Sequence, residues 1–248
     1  TGENMYKDFA YLYDSFMKNV DYQEWTDKIE LIFRKYGKSP KTIADLACGT
    51  GGVTNLLAAR GCQVIGVDIS EDMLYVAREK ARKSGLQVPY ICQDISELTL
   101  HHPVDAVLCM CDGFNYILEE EKLKRSLDRI HHYINPGGIL IFDISSYYKL
   151  STILGNKTMA DTAEDLSLIW LNHFVKETRL LEMNLTIFKK QGDCYKRIEE
   201  TQMQKAWKMG EIIELLNECG YLNISAYSSQ GLTPPGKRSH RIYFSALV

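Results

Sequence analysis

The residues of this chain most open to a chemical reading are two aspartates and three glycines. In Thr42–Gly52 (Thr-Ile-Ala-Asp-Leu-Ala-Cys-Gly-Thr-Gly-Gly) an apolar run, Ile43, Ala44 and Leu46, leads into Gly49, Gly51 and Gly52 and then into a helix-like segment. Glycines at such a turn remove side chains where a ligand approaches the backbone. Asp45 sets the stretch apart from a dinucleotide loop. A pyrophosphate held on bare amides at a helix N-terminus would be repelled by a carboxylate on the preceding strand. A ligand carrying an ammonium and a sulfonium would be attracted by it. A second apolar run, Val64–Val67, ends in Asp68, close to the roughly 20-residue spacing at which an acid meets a ribose diol in this architecture. Two carboxylates and a glycine turn thus frame one adenosine-sized ligand.

These groups need a scaffold, and the rest of the chain supplies its pattern. A helix is predicted over Val53–Arg60, stopped by Gly61. Another begins after Ser70 as N-cap, with Glu71 and Asp72 in its first turn and Lys80, Arg82 and Lys83 in its last, matching the helix dipole. Strand three, Val88–Gln93, ends at Asp94. Strand four, Val104–Cys111, ends at Asp112-Gly113-Phe114-Asn115-Tyr116, and would carry the thiols of Cys109 and Cys111 on one face. A helix over Glu119–His132 puts Leu123, Leu127 and Ile130 on one side; Asn135–Gly138 turns, and a strand starting at Ile139 includes Asp143. Strand–helix alternation with continuous apolar strands predicts an α/β, doubly wound, mostly parallel sheet covered on both faces. Ligands of such sheets sit at the carboxyl ends of strands, where Asp45, Asp68, Asp94, Asp112 and Asp143 recur.

Upstream, Trp25, Ile29, Ile32 and Phe33 keep helical spacing within Tyr22–Tyr36. Downstream, the alternation stops after Tyr148. Ser167–Val175, Arg179–Lys189 and Tyr195–Gln204 read as three strands of an antiparallel insertion, in which Trp170 and His173 are candidates to face a substrate. A helix over Lys208–Cys219 and strands Tyr221–Tyr227 and His240–Val248 then resume the core. The predicted division is a helical cap segment over 1–38, a Rossmann-like core over 39–148 and 205–248, and the insertion over 149–204 covering the site.

In the motifs Asp45-Leu-Ala-Cys-Gly-Thr-Gly and Val67-Asp68-Ile-Ser-Glu-Asp-Met73 the sequence resembles the class I S-adenosylmethionine-dependent methyltransferases. The resemblance implies a seven-stranded sheet with an antiparallel last strand, and S-adenosyl-L-methionine as cofactor. By the same resemblance Asp45 holds the methionine ammonium, with the backbone of Ala47, Cys48 and Gly49 lining that end and Gly51 completing the turn. Asp68 accepts both ribose hydroxyls, Ile69 and Met73 pack the adenine faces, and Asp94 with the Ile95 backbone accepts from the adenine amino group. Cys111 passes the methionine part. Met73 fits a packed helix position equally well.

Among family members the chain is most similar to small-molecule enzymes such as deoxysugar amine N-methyltransferases. It shares with them Phe9-Ala-Tyr-Leu-Tyr13-Asp14, the insertion and the ending Arg241-Ile-Tyr-Phe. It departs from them after strand four, where Tyr116 stands in place of a catalytic histidine. Tyr13 and Tyr116 are therefore the candidates for proton transfer or nucleophile alignment, with Asn115 as hydrogen-bond partner. Methyl displacement needs neither metal nor covalent intermediate, and none is expected.

Composition narrows the partners. A net charge of −3 gives no whole-chain attraction to nucleic acid or an anionic membrane, which favours a small-molecule acceptor. No apolar run is long enough to span a bilayer. Seven cysteines without framework spacing read as reduced thiols, and with no signal-peptide layout the expected location is cytoplasmic, as monomer or homodimer. An RNA- or protein-directed enzyme on the same core, or a non-catalytic cofactor-binding module, are the alternatives. The strand-four ending Asp112-Gly113-Phe114-Asn115 lacks the Pro-Pro-aromatic pattern of amino-directed nucleic-acid enzymes.

Overall fold

The structure is a computed structural model that describes residues 10, 12–14, 21–163 and 165–248. Its main sheet takes strands β1 (Thr42–Leu46), β2 (Gln63–Asp68), β3 (Tyr90–Cys92), β4 (Val104–Cys109), β5 (Ile134–Ser145), β10 (Leu222–Tyr227) and β11 (Arg241–Leu247) in the order β10-β11-β5-β4-β1-β2-β3. β1 to β5 pair in parallel, whereas β11 runs antiparallel to both its neighbours. The predicted α/β class, strand number and reversed last strand are all present. The order reverses between β1 and β4, so the carboxyl ends of these two strands open the crevice at which doubly wound folds bind ligands.

Helices α1 (Tyr22–Lys35) and α2 (Gly52–Ala59) cover one face of the sheet, and α4 (Glu120–His132) with α5 (Met209–Glu218) the other. Successive strand residues point to opposite faces, so the strands of a sheet covered twice read as near-continuous apolar runs rather than alternating ones. β4 shows this directly: Ala106 and Leu108 pack with Ile29, Ile32 and Leu57, while Val107 and Cys109 pack with Leu127, Ile130 and Leu216. Between β2 and β3, α3 (Glu71–Lys83) starts as its sequence requires, with the Ser70 hydroxyl accepting from the Met73 amide at 3.3 Å.

The insertion holds four strands: β6 (Thr158–Thr162), β7 (Leu166–Val175), β8 (Leu180–Gln191) and β9 (Cys194–Lys205), ordered β6-β7-β8-β9 and antiparallel throughout. Three had been expected. β6 is a polar, largely exposed edge strand (Thr-Met-Ala-Asp-Thr), so its sequence carries no apolar alternation to reveal it. Two further expectations are corrected. Strand three shortens to Tyr90–Cys92, with Pro89 before it contributing only a carbonyl, to the Gly66 amide. β4 stops at Cys109, and Cys111 lies beyond it at φ +61°, so the two thiols share no strand face. Within the described residues no helix is long and apolar enough to cross a membrane.

Candidate active site

The turn after β1 is built on left-handed backbone: Ala47, Gly49 and Gly51 have φ of +50°, +54° and +74°. Glycine is required most clearly at Gly51, where a Cβ would stand 2.5 Å from the Tyr90 hydroxyl. The turn presents the Gly49 amide to Asp68 Oδ2 at 2.8 Å, while Asp68 Oδ1 accepts from the Ser70 amide at 2.9 Å. Asp68 is thereby fixed at the tip of β2 by two backbone donors, with lone pairs left over. Burial raises its carboxyl above the usual range against the pull of those amides.

Asp45 is 2% exposed and accepts from the Thr54 hydroxyl at 2.5 Å. Burial pushes its pKa up to about 7, with the Thr54 hydrogen bond opposing and the nearby Asp68 charge adding. A carboxylate held so close to neutrality gains strongly from an incoming cation. Asp45, Ala47, Cys48 and Gly49 line a single cleft with Tyr13, Tyr22, Trp25, Met110 and Cys111. Ile69, at the edge of β2, is 68% exposed, an apolar side chain with no protein cover. Met73 is half-buried in the first turn of α3. Asp94 accepts from the Ser96 amide at 2.8 Å and pairs with Lys122 at 2.8 Å; burial works to raise its carboxyl, but Lys122 and Ser96 hold it below the ordinary range. Ile95 packs partly against the core.

On the other side of the crevice the strand-end acids are differently employed. Asp143 Oδ1 accepts the Cys111 amide at 2.7 Å and Oδ2 the Asp112 amide at 3.1 Å. Arg241, at the start of β11, donates to both Asp143 and Asp112, and Gln204 from β9 donates to Asp112 Oδ2 at 2.7 Å. Cys111 and Asp112 both carry positive φ, +61° and +53°, a tight turn over-determined by these bonds. Burial opposes the charge of Asp112, yet Arg241 and Lys149 hold it below its ordinary value.

Tyr13 is half-buried with its hydroxyl 3.7 Å from Cys111 Sγ, and burial drives its pKa well upward, with the Cys111 thiol adding. Its neighbour Asp14 accepts from Thr50 at 2.6 Å and pairs with Lys80 at 3.0 Å, tying the segment to the glycine turn and to α3. Phe9 and Tyr11 of the same motif lie outside the described residues. Tyr116, 47% exposed, donates to Gln202 Oε1 at 3.2 Å. Asn115 is a correction. It is fully buried, donates to the Ser145 and Lys205 carbonyls at 3.1 and 2.9 Å, and accepts the Ser145 amide at 2.9 Å. Both amide hydrogens are spent tying β5 to β9, so it cannot assist a reacting group. Trp170 and His173, an odd number of positions apart, point to opposite faces: Trp170 packs near Leu12, and His173 is exposed.

Sequence reading missed Thr54, Gln204 and the role of Arg241. Arg241 could be seen only as part of a shared ending, because its partners stand about a hundred residues away.

Fold and site together define a methyl-transferring enzyme of the Rossmann-like type. A family profile described as a methyltransferase domain matches residues 43–138. The protein YqeM of Bacillus subtilis (strain 168), a methyltransferase by name, is 32% identical over 98% of this chain and 96% of its own. A crystal structure of an S-adenosylmethionine-dependent methyltransferase from Clostridium acetobutylicum ATCC 824 is 32% identical, covers 98% of both chains and superposes with a TM-score of 0.90. The chain belongs to the class I S-adenosylmethionine-dependent methyltransferases. The sugar N-methyltransferase KedS8 from Streptoalloteichus sp ATCC 53650, 18% identical over 95% of this chain and 92% of its own with a TM-score of 0.78, shares the fold.

Proposed function

We propose that the chain methylates a small-molecule acceptor by direct displacement. The observation that carries this reading is the roof over the crevice. Leu12 packs against Leu168, Ile187 and Ile198 of the insertion, while Gln202 and Gln204 reach down from β9 to Tyr116 and Asp112. A covered cleft suits a small acceptor better than a nucleic-acid duplex or a folded protein. Relatives carry names in the same direction: ubiquinone biosynthesis O-methyltransferases and, among solved structures, an amino pentose methyltransferase.

S-Adenosylmethionine supplies an electrophilic methyl group on a sulfonium. The residues present fit it. Asp45 offers a buried, nearly neutral-range carboxylate for the ammonium, and Asp68 offers paired oxygens for the ribose hydroxyls. Ile69, 68% exposed at the strand edge, would offer a surface to the adenine, and Met73, Asp94 and the Ile95 backbone are the further groups that would hold it. Cys111 lines the same cleft as Asp45 and would border the methionine part. Because burial keeps the Tyr13 phenol protonated, its part is to orient the nucleophile by hydrogen bonding. Tyr116, bonded to Gln202 of the insertion, would meet the acceptor from that side.

Incubation with S-adenosylmethionine labelled with tritium in the methyl group and a cell extract tests this reading. Label is expected in the low-molecular-mass fraction. Label confined to RNA or protein would overturn the small-molecule assignment and favour the macromolecular one.

A further inference from the structure

Asp45, Asp68 and the adenine groups leave one charged part of S-adenosylmethionine without a partner, the α-carboxylate of its methionine end. That carboxylate shares a carbon with the ammonium fitted to Asp45, so it enters the same cleft. Among the described residues no lysine or arginine lines this cleft, and with Asp45 in its wall an unpartnered anion would be costly there. Neutral donors have to hold it.

Most donors around the cleft are already spent. The Thr50 hydroxyl goes to Asp14, the Gly49 amide goes to Asp68, and the Tyr13 hydroxyl lies 3.7 Å from Cys111 Sγ. Tyr22 and Trp25 also line the cleft, and neither the phenol hydroxyl nor the indole N–H makes a hydrogen bond among the described residues.

The two stand three residues apart on one face of α1, a helix fixed at its start by Asp21, whose carboxylate accepts the Glu24 amide at 3.0 Å. Gly52 makes room for the first of them: a Cβ there would stand 2.6 Å from the Tyr22 ring. Trp25 meets Tyr22 edge-on at 5.6 Å and has the Arg241 guanidinium 5.1 Å from its ring centre, so the indole is held by two neighbours. Burial, with the Cys111 and Asp14 charges adding, raises the Tyr22 phenol and keeps its proton available for donation at neutral pH. The first turn of α2 favours negative charge in the same place: Gly52 and Val53 line the cleft, and Gly51 as N-cap brings no side chain to the free amides.

Resting on the cofactor reading but on no particular acceptor, we propose that Tyr22 and Trp25 bind the α-carboxylate of the cofactor, and that this contact makes the enzyme reject nucleoside sulfonium donors that lack the carboxylate. Asp45 on β1 and the two donors on α1 read the amino-acid head as a zwitterion, one accepting from its cation and two donating to its anion. A decarboxylated donor keeps the sulfonium, ribose and amine but leaves both donors unpaired.

Calorimetric titration of the wild type, Tyr22→Phe and Trp25→Phe tests this with two ligands, S-adenosylhomocysteine and its decarboxylated form, 5′-S-(3-aminopropyl)-5′-thioadenosine. The wild type should bind S-adenosylhomocysteine at least about tenfold more tightly than the decarboxylated form. Each variant should weaken S-adenosylhomocysteine about tenfold and the decarboxylated form by less than about twofold, which also reports that the variants are folded. The proposal is overturned if the wild type binds the two ligands alike, or if neither variant weakens S-adenosylhomocysteine. It is overturned equally if the variants weaken both ligands by the same factor, as side chains that merely pack the cleft would. Absence of binding of either ligand to the wild type would remove the cofactor reading itself, and the subsite with it.

Discussion

Two aspartate pairs stand at neighbouring strand ends of one sheet and do opposite things. Asp45 and Asp68, near the end of β1 and at the end of β2, take only a hydroxyl and backbone amides from the described residues, so the chain gives their charge no cation. Asp112, beyond β4, and Asp143, near the end of β5, are consumed by Arg241, Gln204 and the turn they brace. The same residue type at comparable strand ends is thus left without a cation by the chain in one pair and supplied with one in the other. What decides the role is the partner.

The strongest way to break this contrast is Arg241→Ala, which strands two buried carboxylates. Removing one member of a buried ionic cluster costs about 3–5 kcal/mol. A fall of that size in unfolding free energy, read by chemical denaturation, is expected. A stability within 1 kcal/mol of wild type, on the order of a surface pair, would place Asp112 and Asp143 with the ligand acids instead.

On the other side, Asp68→Ala should leave folding nearly intact and weaken S-adenosylhomocysteine about a hundredfold by calorimetry, roughly 2.7 kcal/mol. A binding loss below about threefold would remove the ribose assignment.

The smallest effect sharpens the comparison through pH. Burial raises the Asp45 pKa to about 7 in the folded protein from the ordinary aspartate value of 3.8, so the folded protein binds its proton more tightly than the unfolded chain does. Its ionisation therefore disfavours the fold progressively as pH rises from 4 to 7, with a ceiling of roughly 4 kcal/mol. Asp45→Asn should accordingly be more stable than wild type at pH 8, by about 1–2 kcal/mol after relaxation of the site, and indistinguishable from it at pH 4. In the wild type, S-adenosylhomocysteine affinity should fall as pH drops below 7; the variant should bind weakly at every pH. An affinity insensitive to pH in the wild type would contradict the ammonium contact.

Asp45, Asp68 and the glycine turn were legible in the sequence because their signals are local: an acid, a turn and a second acid within one strand–helix–strand unit. The doubly wound sheet was legible for a related reason, since β4 and β5 are apolar at consecutive positions whichever face they serve. Asn115 was misread because a polar residue beside a strand end looks the same whether it bonds a substrate or the carbonyl of Lys205, 90 residues away. β6 escaped because an edge strand need not be apolar. A group such as Asn172, a buried side-chain amide on β7 with no hydrogen-bond partner among the described residues, is invisible to pattern alone.

The place of Arg241 has a consequence for how the enzyme comes into being. β11 follows every other strand of the sheet in chain order, yet it wedges between β5 and β10 and brings the guanidinium with its first residue. On a growing chain, Asp112 and Asp143 lack their guanidinium until that strand emerges, with only Lys149 and Gln204 there earlier for Asp112, so the turn they brace is fully tied only when the sheet is complete. A chain short of β11 leaves β5 as a sheet edge that carries Asp143, and a charge on an open edge works against pairing with another chain.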